Sequence, residues 1–218
     1  MMFQNRRDAG RVLARTIANL HDHEDAIVFG LPRGGVPVAY EVACELNLPL
    51  DIVVVRKLGV PGQEELAMGA IASGGTVAIN ASVVREFGIP PEVIEAVAKR
   101  EELEIKRREH AYRDGDPHIP VDGRTAILVD DGLATGASMV AAARALRPLA
   151  RQVIVAVPVA AKSTCNEIRG EVDRIICVAT PQSFLAVGMF YRDFAQTTDE
   201  EVRSLLSRAR NRKSSQVA

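Results

Sequence analysis

The stretch ILVDDGLATGAS, residues 127–138, decides the fold of this chain. It closes a short apolar run that starts at Thr125, places two adjacent acids after that run, and leads through a turn of small residues into a helical pattern over residues 136–149. Short apolar runs bounded by turn residues are typical of strands buried on both faces of a parallel sheet. The backbone N–H groups of such a turn, together with the N-terminus of the following helix, favour an anion. The stretch therefore predicts a parallel strand whose carboxyl end holds an anionic ligand.

Apolar runs and helical patterns alternate through most of the remaining chain. Further strands are predicted at residues 26–30, 51–55, 76–79, 153–159 and 174–179, and further helices at residues 8–20, 36–46, 161–170 and 200–210. Strands that alternate with helices favour an α/β fold, with a mostly parallel sheet covered by helices on both faces. No internal repeat divides the 218 residues, so a single domain is predicted. Its N-terminal region, residues 1–24, is expected to be helical, and its tail, residues 211–218, disordered.

A charged helix is predicted over residues 90–113, within a helical segment that spans residues 84–115. Its acids and bases are interleaved, which allows i,i+4 pairs along its surface. Two interpretations of this surface stay open. It is either a solvated face or a contact between copies of the chain in a homodimer or larger homo-oligomer.

The composition argues against several classes of protein. With 27 basic and 28 acidic residues the net charge is −1, so no general field attracts nucleic acid or a membrane, and neither partner is expected. Aromatic residues make up only 4% and Trp is absent, which disfavours stacking platforms for single-stranded nucleic acid. The N-terminus lacks the apolar core of a signal peptide, and no run of eighteen apolar residues occurs. A soluble, cytoplasmic protein is therefore expected.

Cysteines and histidines give no metal-binding pattern. Cys44, Cys165 and Cys177 are far apart and lack CxxC spacing, so free thiols are expected instead of a zinc site or disulfides. His21 and His23 lie among acidic residues in a predicted loop, where solvation is favoured over a metal role.

Polar residues directly follow three of the predicted strands. They are the RGG of residues 33–35, the RK of residues 56–57 and the DD of residues 130–131. Because ligands bind at the carboxyl ends of parallel strands, these three groups are expected to face one ligand. The turn after the acids adds the hydroxyls of Thr135 and Ser138. A phosphate-binding turn next to two acids suits a ribose 5-phosphate, with its phosphate in the turn and its vicinal hydroxyls on the carboxylates.

The stretch at residues 127–138 closely resembles the phosphoribosyl-diphosphate signature of the type I phosphoribosyltransferases. Residues 31–35 match the diphosphate loop of that family, and residues 56–57 match the start of its mobile loop. The resemblance implies a twisted parallel sheet of about five strands, a flexible flap over residues 58–66 and a small C-terminal hood over residues 175–198. It also implies a Mg²⁺-dependent enzyme that transfers ribose 5-phosphate from phosphoribosyl diphosphate to a nitrogenous base and releases diphosphate.

The resemblance assigns roles to residues that match the family's motifs. The acids would hold the ribose hydroxyls and face Mg²⁺, and they form the catalytic set together with two basic residues: Asp130, Asp131, Lys57 and Arg33. The residues of the turn would bind the 5-phosphate: Ala134, Thr135, Gly136, Ala137 and Ser138. The residues that would meet the diphosphate are Arg33, Gly34, Arg56 and Lys57.

The acceptor side is less defined. The aromatic-rich stretch at residues 184–194 suggests a hood over a flat base, with Phe190, Tyr191 and Asp193 as base contacts. Core packing for the rings and turn capping for the aspartate are the alternatives. Glu64 and Glu65 in the flap are expected either to accept a proton or to be ordinary solvated side chains.

One position departs from part of the family. Hypoxanthine–guanine members carry an aspartate just before the Thr-Gly of the signature, where this chain has Ala134, so hypoxanthine and guanine are disfavoured as acceptors. The alternative function is a non-catalytic or regulatory binder of phosphoribosyl diphosphate or a nucleotide on the same fold. A phosphoryl-transfer enzyme that uses Asp130 or Asp131 is disfavoured, because no GxxxxGK[ST] motif occurs and the two acids are adjacent.

Overall fold

The computed structural model describes residues 1–18 and 25–214. Its strands are β1 (Ala26–Gly30), β2 (Leu50–Ile52), β3 (Val55–Val60), β4 (Gln63–Ala72), β5 (Val77–Ile79), β6 (Thr125–Val129), β7 (Gln152–Val159) and β8 (Arg174–Ala179). Its helices are α1 (Arg6–Ala18), α2 (Gly35–Glu45), α3 (Ala81–Glu86), α4 (Pro91–Arg113), α5 (Ala137–Leu146), α6 (Lys162–Ile168) and α7 (Asp199–Ser214). His21 and His23 lie outside the described residues.

Five strands form a parallel sheet in the order β2-β1-β6-β7-β8. Neighbouring residues along each central strand point to opposite faces of this sheet. Val28 and Ile127 pack on one face with α1, α2 and α7, whereas Ile27 and Leu128 pack on the other with α5 and α6. The predicted α/β fold, with about five parallel strands and helices on both faces, is confirmed.

A smaller antiparallel sheet, β3-β4-β5, packs between α4 and α5. It corrects one prediction: the strand expected over residues 51–55 ends at Ile52, and the chain then enters the small sheet. Arg56 and Lys57 therefore lie within β3 and not at the carboxyl end of a parallel strand. The apolar run of residues 52–55 continues across both sheets, so it carries no sign of the change. The predicted flap, residues 58–66, is the end of the β3–β4 hairpin.

The boundaries of two other predicted segments also change. The segment at residues 84–115 contains the end of α3 and all of α4, with a break at Gly88, which has φ +57°. Residues 175–179, expected in the hood, belong to β8, so the hood comprises residues 180–198.

The C-terminal tail corrects a further prediction. Residues 211–214, expected to be disordered, continue α7. Arg212 donates from its two terminal nitrogens to the carbonyl oxygens of Cys44 at 2.7 Å and Ala43 at 2.8 Å, which anchors the end of α7 on α2. The rest of the predicted tail, residues 215–218, lies outside the described residues.

The N-terminal arm, residues 3–6, pairs with the hood. The N–H of Phe3 donates to the carbonyl of Phe190 at 2.8 Å, and the N–H of Arg192 donates to the carbonyl of Phe3 at 2.9 Å. The start of α1 is thereby held against the hood.

All three cysteines are free thiols. Cys165 is buried, and Cys177 is part-buried, with its Sγ 2.8 Å from that of Cys165. None of the helices in residues 1–18 and 25–214 combines the length and apolar character needed to cross a membrane.

Candidate active site

The order of the parallel strands reverses between β1 and β6. The chain moves from β1 outward to β2, whereas β6, β7 and β8 extend the sheet in the other direction. Such a reversal opens a crevice outside the carboxyl ends of the two central strands. The loop at residues 31–35 and the turn at residues 130–136 both follow these strands, and the N–H of Leu31 donates to the carbonyl of Val129 at 3.0 Å. Two of the three predicted groups are therefore brought together.

Hydrogen bonds to β7 and α6 hold the turn at residues 130–136 in place. Leu133 is buried, and its N–H donates to a β7 carbonyl at 2.9 Å. Thr164 of α6 donates its hydroxyl to the carbonyl of Ala134 at 2.5 Å. Gly136 has φ +72°, and a Cβ there would lie 2.7 Å from a side chain of α6, so this position requires glycine. Four of the five predicted phosphate-binding residues remain exposed at the N-terminus of α5: Ala134, Thr135, Ala137 and Ser138.

The acid pair lies where β6 ends. Burial raises the pKa of Asp130 well above its usual range, and the neighbouring Asp131 carboxylate adds to the rise. Burial also raises the pKa of Asp131, against the opposing effect of Arg6, whose Nε lies 2.8 Å from Asp131 Oδ2. Two part-buried carboxyl groups next to the guanidinium of Arg6 are short of positive charge. This electrostatic condition favours hydroxyl donors or a further cation at Asp130.

The loop at residues 31–35 packs its glycines directly on the acids. A Cβ on Gly34 would collide with Asp131 Oδ2, and one on Gly35 would lie 2.7 Å from the carbonyl oxygen of Val129. Glycine at both positions therefore lets the backbone of this loop approach the acid pair closely.

Arg33 lies at the tip of the same loop. Its side chain is 40% exposed and lies 3.8 Å from Asp199 at the start of α7. A long ion pair between exposed groups is worth little, so a ligand phosphate can replace it.

Arg56 and Lys57, predicted to act together, point to opposite sides of β3. Arg56 Nε donates to Oε2 of the buried Glu101 on α4 at 2.9 Å. Lys57 Nζ lies 3.2 Å from Glu65 Oε2 across the hairpin, and the lysine side chain is 46% exposed. Arg56 thus has a structural partner, whereas the ion pair of Lys57 is an exposed one that a phosphate can replace. Contact of either residue with a diphosphate stays a prediction.

Glu64 and Glu65 lie exposed near the end of the hairpin. Hydrogen bonds from its own backbone N–H and from that of Gly62 lower the pKa of Glu64, and the Gly62 bond measures 3.1 Å. A lowered pKa makes a weaker base near neutral pH. Their role as proton acceptors stays a prediction.

Tyr191, predicted to contact a base, is packed inside the hood. Its ring lies between those of Phe3 and Phe194, with centroids 5.5 Å and 4.9 Å away, and the residue is 6% exposed. Its hydroxyl donates to the carbonyl of Asp131 at 2.6 Å. Because the ring is packed in this way, little of it is left to contact a base. The hydroxyl joins the hood to the acid pair.

The other two predicted base contacts are more accessible. Phe190 is part-buried and stacks on Phe184, with centroids 5.5 Å apart. Asp193 is exposed, and its Oδ1 accepts a hydrogen bond from the N–H of Ala195 at 3.0 Å, which is the capping alternative. Contact of either residue with a base stays a prediction.

Two residues of the crevice carry no signal in the sequence. Arg6 meets Asp131 across 125 positions of the chain, and Asp199, which approaches Arg33, accepts a hydrogen bond from the hydroxyl of Tyr112 at 2.8 Å. Arg6 is one of two adjacent arginines before a helical pattern, and Asp199 is one of three adjacent acids. No local pattern separates them from solvated charges.

The donor set at the acid pair fits Mg²⁺ that arrives with a substrate. Within residues 1–18 and 25–214 no group of three or more His, Cys, Asp or Glu side chains could hold a metal ion. Mg²⁺ commonly binds through one or two carboxylates together with substrate phosphates and waters, and does not need a cage of protein ligands. Asp130 and Asp131 supply those carboxylates, and their shortage of positive charge is the condition that such a cation relieves.

A crevice at the reversal of a parallel sheet, flanked by an acid pair and an exposed anion-binding turn, is typical of α/β proteins that bind phosphorylated ligands. The model of the phosphoribosyl transferase domain matches residues 2–194, and the chain belongs to this family. A candidate phosphoribosyl transferase of Mycobacterium tuberculosis H37Rv is 46% identical over 209 residues, which are 95% of this chain and 47% of that protein. The chain thus spans about half the length of the curated relatives that it matches. The predicted family, a family of transferase enzymes, is confirmed.

Two solved structures share the fold of this chain. That of TT1426 from Thermus thermophilus has a TM-score of 0.83 and 41% identity, and the match covers 94% of this chain and 98% of that one. A protein from Neisseria gonorrhoeae with bound ppGpp has a TM-score of 0.51 at 15% identity, with 95% and 98% of the two chains covered. At that identity the likeness concerns the fold alone.

Proposed function

We propose that the protein transfers the ribose 5-phosphate group of phosphoribosyl diphosphate to a nitrogen atom of a base and releases diphosphate, with Mg²⁺ as cofactor. The observation that carries this proposal is the direct packing of the loop at residues 31–35 on Asp130 and Asp131, beside the exposed turn that opens α5. Three adjoining regions then suit the three parts of one ligand: diphosphate, ribose and 5-phosphate.

Each region has the chemistry that its part requires. Residues 134–138, four of which are exposed, offer backbone N–H groups and hydroxyls to the 5-phosphate. Asp130 and Asp131 accept hydrogen bonds from the ribose hydroxyls. Arg33 and the backbone N–H of Gly34 meet the diphosphate from one side and Lys57 from the other. Arg56 contributes less than predicted, because Glu101 already binds its guanidinium.

The residues act on charge that develops as the bond to diphosphate breaks. The sugar gains positive character, which the carboxylates of Asp130 and Asp131 favour, and the leaving diphosphate gains negative charge, which Arg33 and Lys57 stabilise. Mg²⁺ bound with the diphosphate would neutralise further charge on it. The β3–β4 hairpin, which carries Lys57, would close over the bound ligand and exclude water, which otherwise competes with the acceptor.

Hypoxanthine and guanine are disfavoured as the acceptor base. Ala134 supports this, because no acidic side chain stands at that point of the turn. The hood supplies the remaining wall, through Phe190 and Asp193.

The direct test is diphosphate release. Purified protein is mixed with Mg²⁺, phosphoribosyl diphosphate and each member of a panel of purines, pyrimidines and small heterocyclic amines, and the released diphosphate is measured with and without acceptor. Release that depends on one acceptor is expected. Tight, Mg²⁺-dependent binding of phosphoribosyl diphosphate with no release from any acceptor would support the regulatory binder, and absence of binding would contradict both functions.

A further inference from the structure

Arg6 makes three contacts at the edge of the crevice. Its Nε donates to Asp131 Oδ2 at 2.8 Å, a terminal nitrogen donates to the carbonyl of Ala195 at 2.6 Å, and its guanidinium carbon lies 3.9 Å from the centre of the Phe194 ring. The side chains of Arg6 and Asp131 are only 13% and 15% exposed. A planar guanidinium that is held by a carboxylate, a carbonyl and an aromatic face has little freedom to rotate.

The backbone of Arg6 is fixed as firmly as its side chain. The buried Phe3 pairs with the hood through two backbone hydrogen bonds on the N-terminal side of Arg6. On the other side Asn5 Oδ1 accepts a hydrogen bond from the N–H of Asp8 at 3.0 Å, which caps α1 at the residue before Arg6. The guanidinium therefore projects from a point that both the hood and α1 define.

Asp131 is restrained on several atoms. Arg6 binds one carboxylate oxygen, Oδ2. The hydroxyl of Tyr191 donates to the Asp131 carbonyl at 2.6 Å, and the N–H of Asp131 donates to Asp130 Oδ1 at 2.8 Å. With the backbone and Oδ2 fixed, the plane of the carboxylate is fixed, and its second oxygen is left for a ligand.

We propose that Arg6 is a positioning residue for the ribose of phosphoribosyl diphosphate. It sets the plane of the Asp131 carboxylate so that the second oxygen accepts a hydrogen bond from a ribose hydroxyl without a rotation on binding. This inference rests on the proposed function, since it assumes that Asp131 binds the sugar. The same guanidinium also contacts Phe194 and Ala195 of the hood. The conformation of the hood and the position of the Asp131 carboxylate therefore depend on the same side chain.

The test uses the full chain and Mg²⁺ with phosphoribosyl diphosphate, whose binding is measured by titration calorimetry. Arg6→Met is expected to weaken binding about 10- to 100-fold, because Asp131 then no longer presents its second oxygen to the ribose hydroxyl, and a hydrogen bond to a charged group is worth about that much. Arg6→Lys is expected to lie between this variant and the unaltered protein, because an ammonium can meet Asp131 but cannot also hold the carbonyl and the ring. Arg15→Met, which removes an exposed arginine from the same helix, is the matched control and is expected to bind as the unaltered protein does.

A double variant shows whether Arg6 acts through Asp131. Arg6→Met combined with Asp131→Asn is expected to bind no more weakly than Asp131→Asn alone, because the carboxylate that Arg6 orients is already gone. Binding by Arg6→Met within twofold of the unaltered protein, or losses that add in the double variant, would overturn the proposal. If Arg6→Met does not fold by thermal melting, Arg6→Lys decides, and binding equal to that of the unaltered protein overturns it.

A different result is expected if the proposed function itself is wrong. In that case the unaltered protein does not bind phosphoribosyl diphosphate, and the role of Arg6 is ruled out as well. Normal binding by the unaltered protein and by every Arg6 variant removes the role of Arg6 alone.

Discussion

The turn at residues 130–136 and the β3–β4 hairpin carry charged groups of the same proposed site, but they are built in opposite ways. The turn is anchored to β7, to α6 and to the hood, through Leu133, Thr164 and Tyr191. The hairpin is part of the small sheet, and its Lys57 and Glu65 pair with each other across it as exposed side chains. Groups that bind the unchanging end of a substrate gain from fixed positions, whereas groups that close over a leaving group must move between states. The comparison predicts different responses to substitution.

The largest effect is expected in the fixed region. Asp131→Asn should lower kcat/KM at least about 100-fold, the cost of removing one well-placed charged group from a site of this kind. Its melting temperature should fall by only a few degrees, because the ion pair with Arg6 is weakened while the β6 core is unchanged. Diphosphate release and thermal melts measure the two quantities.

Asp122→Asn, which alters an exposed acid shortly before β6, serves as the control and should leave both quantities unchanged. An Asp131→Asn protein with full activity, or one that does not fold, would remove Asp131 from the site.

In the hairpin, Lys57→Ala is expected to lower kcat by roughly 10- to 100-fold with a smaller change in KM for phosphoribosyl diphosphate, because the charge that Lys57 meets is larger in the transition state. Its melting temperature should not change, since the lysine pairs with an exposed glutamate. Steady-state kinetics with Lys99→Ala, an exposed lysine of α4, as the control separate the two constants. Equal losses in binding and in rate would assign Lys57 to ligand binding alone.

Arg56→Met should have a moderate effect of another kind. The buried Glu101 loses its hydrogen bond at 2.9 Å, so the melting temperature should fall by about 3–8 °C while activity falls less than in Lys57→Ala. Arg100→Met is the matched control, because Arg100 pairs with the same glutamate from a position that is 69% exposed. The control should melt closer to the unaltered protein. A large loss of activity in Arg56→Met without loss of stability would return Arg56 to the diphosphate site.

The smallest effect is expected in the amide hydrogen exchange of the β3–β4 hairpin tip. The β3–β4 register shifts at Gly59, and the tip at residues 61–62 contains the positive-φ Gly62, so the amides around the tip should exchange faster with deuterium than those of residues 66–72. Phosphoribosyl diphosphate with Mg²⁺ should slow exchange at the tip. Hydrogen exchange followed by mass spectrometry measures this, and exchange at the tip that the ligand does not alter would argue against a closing flap.

Prediction from the sequence succeeded where a local pattern determines the structure. The runs at residues 26–30 and 125–129 are the strands β1 and β6 to the residue, because every residue of these two central strands is buried. The predicted edge strand at residues 174–179 also matches β8 to the residue. The end of β2 could not be predicted from apolar character, because the run at residues 52–55 stays apolar while the chain leaves one sheet for another. The sequence therefore predicts Arg56 and Lys57 as one basic pair, whereas in the structure they pair with Glu101 and Glu65.

Contacts between distant segments could not be predicted in this way. Arg6 and Asp131 meet only because the N-terminal arm adds to the hood and the hood folds back on the turn. The aromatic neighbours of Tyr191 suggest either a base contact or core packing, and in the structure its ring packs against Phe3 and Phe194. Such roles depend on which surfaces the complete fold brings together.

The most direct measurement is a crystal structure of the protein with phosphoribosyl diphosphate and Mg²⁺. It should show the 5-phosphate against the backbone of residues 134–138, the ribose hydroxyls on Asp130 and Asp131, and the diphosphate beside Arg33 and Gly34. A ligand whose phosphates lie elsewhere, or whose ribose does not touch the acid pair, would contradict the assignment of this crevice as the active site.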